Sequence, residues 1–164
     1  VKNLLPHMHV RGYIYGNVPE KHINYFESLK KMISEKQLND NVFLMPATQS
    51  PYDVLKKMHV FLFPTTHPEG FGRVILEAQA TGVPVIASKL GGVLDIIDEK
   101  KNGLLAPPLK SEPYADCVYK LTQDLGFRNK LIMTARKKVE EKFSHIKMCQ
   151  KTLSLYKENI SSTN

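Results

Sequence analysis

Short unbroken apolar runs alternate in this chain with longer stretches whose apolar residues recur every three or four positions. The runs at 42–45, 60–63, 83–87 and 104–106 are each closed by proline, glycine or polar turn residues, which predicts short strands buried on both faces. A weaker alternation at 7–12 predicts a further strand ending at Gly12, with 13–19 as a loop behind it. Helical spacing predicts a helix over 20–35 with Ile23, Phe26, Leu29, Met32 and Ile33 on its apolar side. A short helix follows Ser50 as N-cap and Pro51 as first helical residue, and packs Val54, Leu55 and Met58. From Gly72 the pattern is helical again, with Val74, Ile75, Ala78 and Gly82 on one side and a stop at Thr81-Gly82. One or two helical turns fit 93–98, and 101–103 is a turn.

The remainder is helical. Tyr114, Cys117, Val118 and Leu121 share one face after Ser111, and Leu131, Ile132, Ala135, Val139 and Phe143 share a face of the next helix. A closing helix capped by Ser144 runs to about residue 156 and turns Ile146, Cys149, Leu153 and Tyr156 inward, ahead of a polar, fraying tail at 158–164. Strand, helix, strand recurs twice and predicts parallel pairing. The fold class is therefore α/β, a Rossmann-like parallel sheet flanked by helices.

The strand at 60–63 leads into a loop, 65–71, that holds His67, Pro68, Glu69 and Gly70. In a βαβ unit that loop opens at the carboxyl edge of the sheet, where ligands bind, and the next helix aims its amino end into the same crevice. Unpaired amides of Gly70, Phe71, Gly72 and Arg73, with the positive end of the helix dipole, suit a phosphate or a densely hydroxylated group. Glu69 and Glu77, with seven residues between them, flank those donors, and each carboxylate can accept two hydroxyl hydrogen bonds. Arg73 opposes the helix dipole unless an anion binds there, which makes it a candidate partner of a diphosphate. Blander readings stand beside these. Glu77 could pair with Arg73 at i, i+4, His67 and Glu69 could be solvated loop residues, and Gly91-Gly92 could be a tight turn or a close approach to phosphate.

The run PEGFGRVILEAQATGVPVIAS, with Glu69 and Glu77, resembles the E-x7-E signature of the retaining GT-B glycosyltransferases of family 4, the glycosyl transferases group 1. The likeness continues through Gly91-Gly92, the segment NGLLAPP and the closing helices. It implies that residues 1–164 are the carboxyl-terminal, donor-binding half of a GT-B architecture. In that family the first Glu, here Glu69, contacts the donor sugar. Gly70, Phe71 and Gly72 hold sugar and diphosphate, and Glu77 binds the ribose hydroxyls; the base rests near Met45, Pro46 and Ala47. The donor implied is a UDP- or GDP-sugar and the acceptor a glycan or lipid-linked molecule. The family also has an Arg and a Lys five residues apart in a loop before this stretch, and an acceptor-binding amino-terminal domain. Neither falls within these residues, so the chain alone is expected to bind nucleotide weakly and transfer nothing. A non-catalytic or truncated nucleotide-binding module is one alternative, and a nucleotide-sugar epimerase of the same architecture another.

Composition narrows the partners. With 164 residues, 42% hydrophobic and 24% charged, the chain is a globular domain able to bury about 70% of its unfolded surface. A net charge of +7 favours anionic partners, namely nucleotide diphosphates or an acidic membrane surface, with nucleic acid the less suited reading. The basic run at 135–142 carries Glu140 and Glu141 at pairing distance and reads as a solvated helix face. No run nears the roughly 18 apolar residues of a membrane span, and the expected location is the cytoplasm, with peripheral contact at the inner face of the membrane. Cys117 and Cys149 lie in no motif and are expected as free thiols. His7 and His9 lack a third ligand, and no D-x-D carboxylate pair occurs, so no metal or cofactor is expected beyond the donor itself.

Overall fold

The computed structural model describes residues 1–161, so 162–164 of the predicted polar tail lie outside the described residues. Among the described residues, strands and helices alternate as far as β5 and three helices follow, making five strands and seven α-helices. They are β1 (Gly12–Tyr15), α1 (Ile23–Glu35, after a single 3-10 turn), β2 (Val42–Met45), α2 (Pro51–Leu55), β3 (Phe61–Phe63), α3 (Arg73–Ala80), β4 (Val85–Ser88), α4 (Val93–Ile96), β5 (Leu104–Ala106), α5 (Ser111–Gln123), α6 (Leu125–Lys142) and α7 (His145–Ser161). All strand pairing is parallel, in two groups: β1 with β2, and β3–β4–β5. This is the predicted α/β class.

β4 is the centre of the larger sheet, and all four of its residues are buried. Its side chains alternate between two cores, as the period of a strand requires. Val85 and Ala87 join Leu55, Ile75, Ala78, Val93 and Ile96 on one face. Ile86 joins Leu4, Leu104, Tyr114, Leu121 and Leu131 on the other. Helices thus cover both faces, which is why these strands are continuously apolar. α3 ends with Gly82 at φ +78°, where Gly82 N–H donates to Gln79 O at 3.1 Å and Val83 N–H to Ala78 O at 2.9 Å. That paired closure is a Schellman motif, and it needs the left-handed glycine. α6 is tied to the end of α4 by Lys138, whose ammonium donates to Ile96 O and to Asp98 Oδ2, both at 2.8 Å. The Lys138 bond holds the Asp98 carboxyl below its ordinary range.

Three expectations are corrected. Residues 7–12 are not a strand: the first eight residues coil in helical turns, with Leu5 N–H donating to Val1 O and Met8 N–H to Leu4 O, because Leu4 is drawn into the core. Pairing begins only at Gly12, whose N–H donates to Asn41 O at 2.7 Å, and runs through Tyr13-Ile14-Tyr15. Those three are good strand formers and lie in the sheet rather than in the expected loop; His7 and His9 accordingly share no strand face. Ser50 precedes α2 as expected, yet its hydroxyl donates to Asp53 Oδ2 at 2.7 Å rather than accepting an amide. Finally, Ile146, Cys149, Leu153 and Tyr156 of α7 are exposed, not inward. Their spacing marks a stripe, but no other described element packs closely on it.

Candidate functional site

β3 stops at Phe63, and the chain leaves the sheet at its carboxyl edge through residues 64–72 before α3 begins. Gly72, immediately ahead of α3, has φ +63°, and a Cβ there would come within 3.1 Å of Ile75 Cδ1. Backbone angle and space both call for glycine. Ile75 N–H is taken up by Gly72 O at 2.9 Å. Among the described residues, the amides of Gly70, Phe71, Gly72 and Arg73 find no acceptor. Four donors are therefore unpaired at the positive end of α3, three of them on the exposed residues Gly70, Phe71 and Arg73.

Along the chain one acidic residue precedes these donors and the other follows them. Glu69 is exposed in the loop, and Glu77 is half-buried on α3, roughly 6 Å along the helix axis from Arg73 at 1.5 Å per residue. The Arg73–Glu77 ion pair considered above is not formed: salt bridges among the described residues lie elsewhere. Both carboxylates and the exposed Arg73 guanidinium are thus uncommitted within the chain. His67 is exposed and engaged locally, its Nδ1 2.9 Å from Thr66 Oγ1. Met45, at the end of β2, is exposed and lines a separate, mostly apolar cavity of about 350 Å³ with Ile14, Val18, Phe26 and Leu44.

Contacts that sequence reasoning missed fix the loop from three sides. Ser88, at the end of β4, donates its hydroxyl to Thr65 O at 2.5 Å and sits 2.7 Å from the Tyr114 hydroxyl of α5. Burial pushes the Tyr114 phenol up from its ordinary value, so it stays a neutral hydrogen-bonding group. Phe71 rests edge-on against Phe143, at the end of α6, with ring centroids 6.1 Å apart. The Gly91-Gly92 corner packs on the loop itself, Gly92 N–H donating to Glu69 O at 3.0 Å. Of these only the glycine pair stood out in the sequence. Ser88 and Tyr114 are 26 residues apart, in no shared motif. In the basic run of α6, Arg136 and Lys137 are solvated as predicted and pair with Glu140 at 3.1 Å and Glu141 at 3.8 Å, whereas Lys138 departs from that expectation, its side chain largely covered where it reaches α4. No group of three or more possible metal ligands occurs among the described residues.

A parallel sheet covered on both faces, with unpaired backbone donors where the chain leaves the carboxyl end of β3, has the form of a Rossmann-like domain. The chain belongs to the glycosyl transferases group 1 family, whose model matches residues 6–138. It is 36% identical over 118 residues to the capsular polysaccharide biosynthesis glycosyltransferase CapM of Staphylococcus aureus, covering 72% of this chain and 31% of CapM. Its fold superposes on the Anabaena protein Alr3699/HepE in complex with UDP-glucose with a TM-score of 0.86 at 23% identity, over 91% of this chain and 41% of that one. It superposes on a mutant of S. aureus TarM in complex with fondaparinux, alpha-GlcNAc-glycerol and UDP with a TM-score of 0.78 at 28% identity, over 94% of this chain and 30% of that one. The architecture is that of one domain of a GT-B glycosyltransferase. The chain spans less than a third of the length of CapM, and no described helix is long and apolar enough to cross a membrane.

Proposed function

We propose that this domain holds the nucleotide-sugar donor of a retaining glycosyltransferase that transfers a sugar to a glycan or lipid-linked acceptor. The observation that carries this reading is the set of unpaired amides at residues 70–73 between two uncommitted carboxylates. Family membership and the UDP bound to the related TarM support UDP as the nucleotide. The amides of Gly70, Phe71 and Gly72, with Arg73, meet the diphosphate; Glu69 accepts from the sugar hydroxyls and Glu77 from the ribose diol.

In the reaction the bond from the sugar's anomeric carbon to the diphosphate oxygen breaks, and its electron pair leaves with the nucleotide. The acceptor hydroxyl bonds to the same face of the sugar and passes its proton to the departing diphosphate oxygen. Open donors at the amino end of α3 are placed where negative charge develops on the leaving group, and cost no reorganisation at that moment. The charge is met by amides, helix dipole and guanidinium, with no divalent ion required.

A thermal-shift panel of UDP, GDP, ADP and UDP-glucose, run in EDTA, tests this reading. A ligand at 100 times its dissociation constant stabilises by about 2.7 kcal/mol, so UDP and UDP-glucose should raise Tm by several degrees despite the chelator. No shift with any nucleotide, or a shift only when a divalent cation is restored, contradicts it.

A further inference from the structure

The loop that carries Glu69 takes its shape from a second loop. A Cβ on Gly91 would come within 3.0 Å of Pro68 Cα and 3.1 Å of Glu69 N. One on Gly92 would meet the Glu69 carbonyl oxygen at 3.0 Å and collide with the Gly70 carbonyl oxygen. Gly92 has φ −61° and ψ −9°, angles that any residue adopts. Close approach of backbone to backbone, not conformation, therefore excludes a side chain at Gly92.

Two carbonyls face this corner. That of Glu69 accepts the Gly92 N–H at 3.0 Å, and that of Gly70 lies in contact with Gly92. No peptide bond among the described residues is cis, and in a trans peptide the C=O and N–H point opposite ways. The Glu69 carbonyl shares its peptide plane with Gly70 N–H, and the Gly70 carbonyl shares its plane with Phe71 N–H. Holding both carbonyls turns both amides away from the corner. These are two of the amides that find no acceptor within the chain, and nothing lies within 4 Å of the position a Cβ on Gly70 would take. The corner thus meets the far side of the two peptides that carry the Gly70 and Phe71 donors.

We propose that Gly92, supported by Gly91, is a positioning residue that aims the Gly70 and Phe71 amides at the donor diphosphate. It touches no ligand and acts through the loop. The proposal rests on the donor-binding reading above. It predicts that Gly92→Ala rotates the Glu69–Phe71 peptides and weakens UDP-glucose binding about tenfold or more, the loss expected when hydrogen bonds to a charged group go.

The test is a ¹H–¹⁵N NMR titration of the full chain with UDP-glucose. In the unsubstituted chain the Gly70, Phe71 and Glu77 amides should shift. In Gly92→Ala the Glu77 shift should persist at higher ligand concentration while those of Gly70 and Phe71 vanish, which general unfolding would not produce. Leu94→Ala, exposed on α4, should leave all three unchanged. Equal shifts at Gly70 and Phe71 in Gly92→Ala overturn the positioning role alone, whereas no shift in the unsubstituted chain overturns the donor-binding reading and this proposal with it. Should Gly92→Ala fail to fold, amide exchange in the unsubstituted, ligand-free chain decides. Gly92 N–H should be protected and Gly70 N–H unprotected, and equally fast exchange at both overturns the proposal.

Discussion

At the scale of single residues, three buried polar side chains hold the frame around the crevice. Ser88 is 0% exposed, and its hydroxyl serves both the Thr65 carbonyl and the Tyr114 hydroxyl. Asn102, equally buried, donates to Ile96 O at 2.8 Å and accepts the Asp98 amide at 2.6 Å, while Gln79 of α3 donates to its carbonyl at 2.9 Å. Removing one partner of a buried bond leaves the other unsatisfied and costs about 1–3 kcal/mol. Ser88→Ala should therefore lower stability by that amount in urea unfolding, with the slope unchanged. A loss below about 0.5 kcal/mol, the level of an ordinary surface change, would mean that Ser88 does not anchor the loop. None of the three was legible beforehand, because a polar residue at a strand end, in a turn or on a helix is solvated by default. Only the fold brings its distant partner.

At the scale of elements, the sequence is most legible where one residue type answers one local demand. Gly72 and Gly82 fix the start and stop of α3, and proline or glycine bounds the apolar runs at β2 to β5. It is least legible where tertiary placement decides. In α7 the periodic positions Ile146, Leu153 and Tyr156 are 56%, 58% and 64% exposed, since periodicity identifies a stripe but not what meets it. At β1, Gly12 is the first paired residue rather than the terminator. A direct contrast follows. Leu153→Ala should change stability by less than about 0.5 kcal/mol, whereas Ile86→Ala in β4 should cost about 2–5 kcal/mol. Both are read from denaturant midpoints. Comparable losses would place α7 against the core after all.

At the scale of the whole molecule, one idea joins fold, family and site: β3 and α3 meet at a corner where backbone donors stay free and two carboxylates stand beside them. The placement of Glu69 on the loop and of Glu77 on α3 was legible because both belong to one contiguous stretch with the intervening glycines. The corner at Gly91-Gly92 that shapes it was visible only as a glycine pair. The most direct measurement is a calorimetric titration of the chain with UDP-glucose, repeated for Glu77→Gln and Glu69→Gln. The account predicts saturable 1:1 binding, weakened about tenfold by Glu77→Gln, as loss of a charge-assisted hydrogen bond implies. It predicts that Glu69→Gln weakens UDP-glucose while leaving UDP unchanged. Saturable binding untouched by either substitution, or no binding at all, would contradict it.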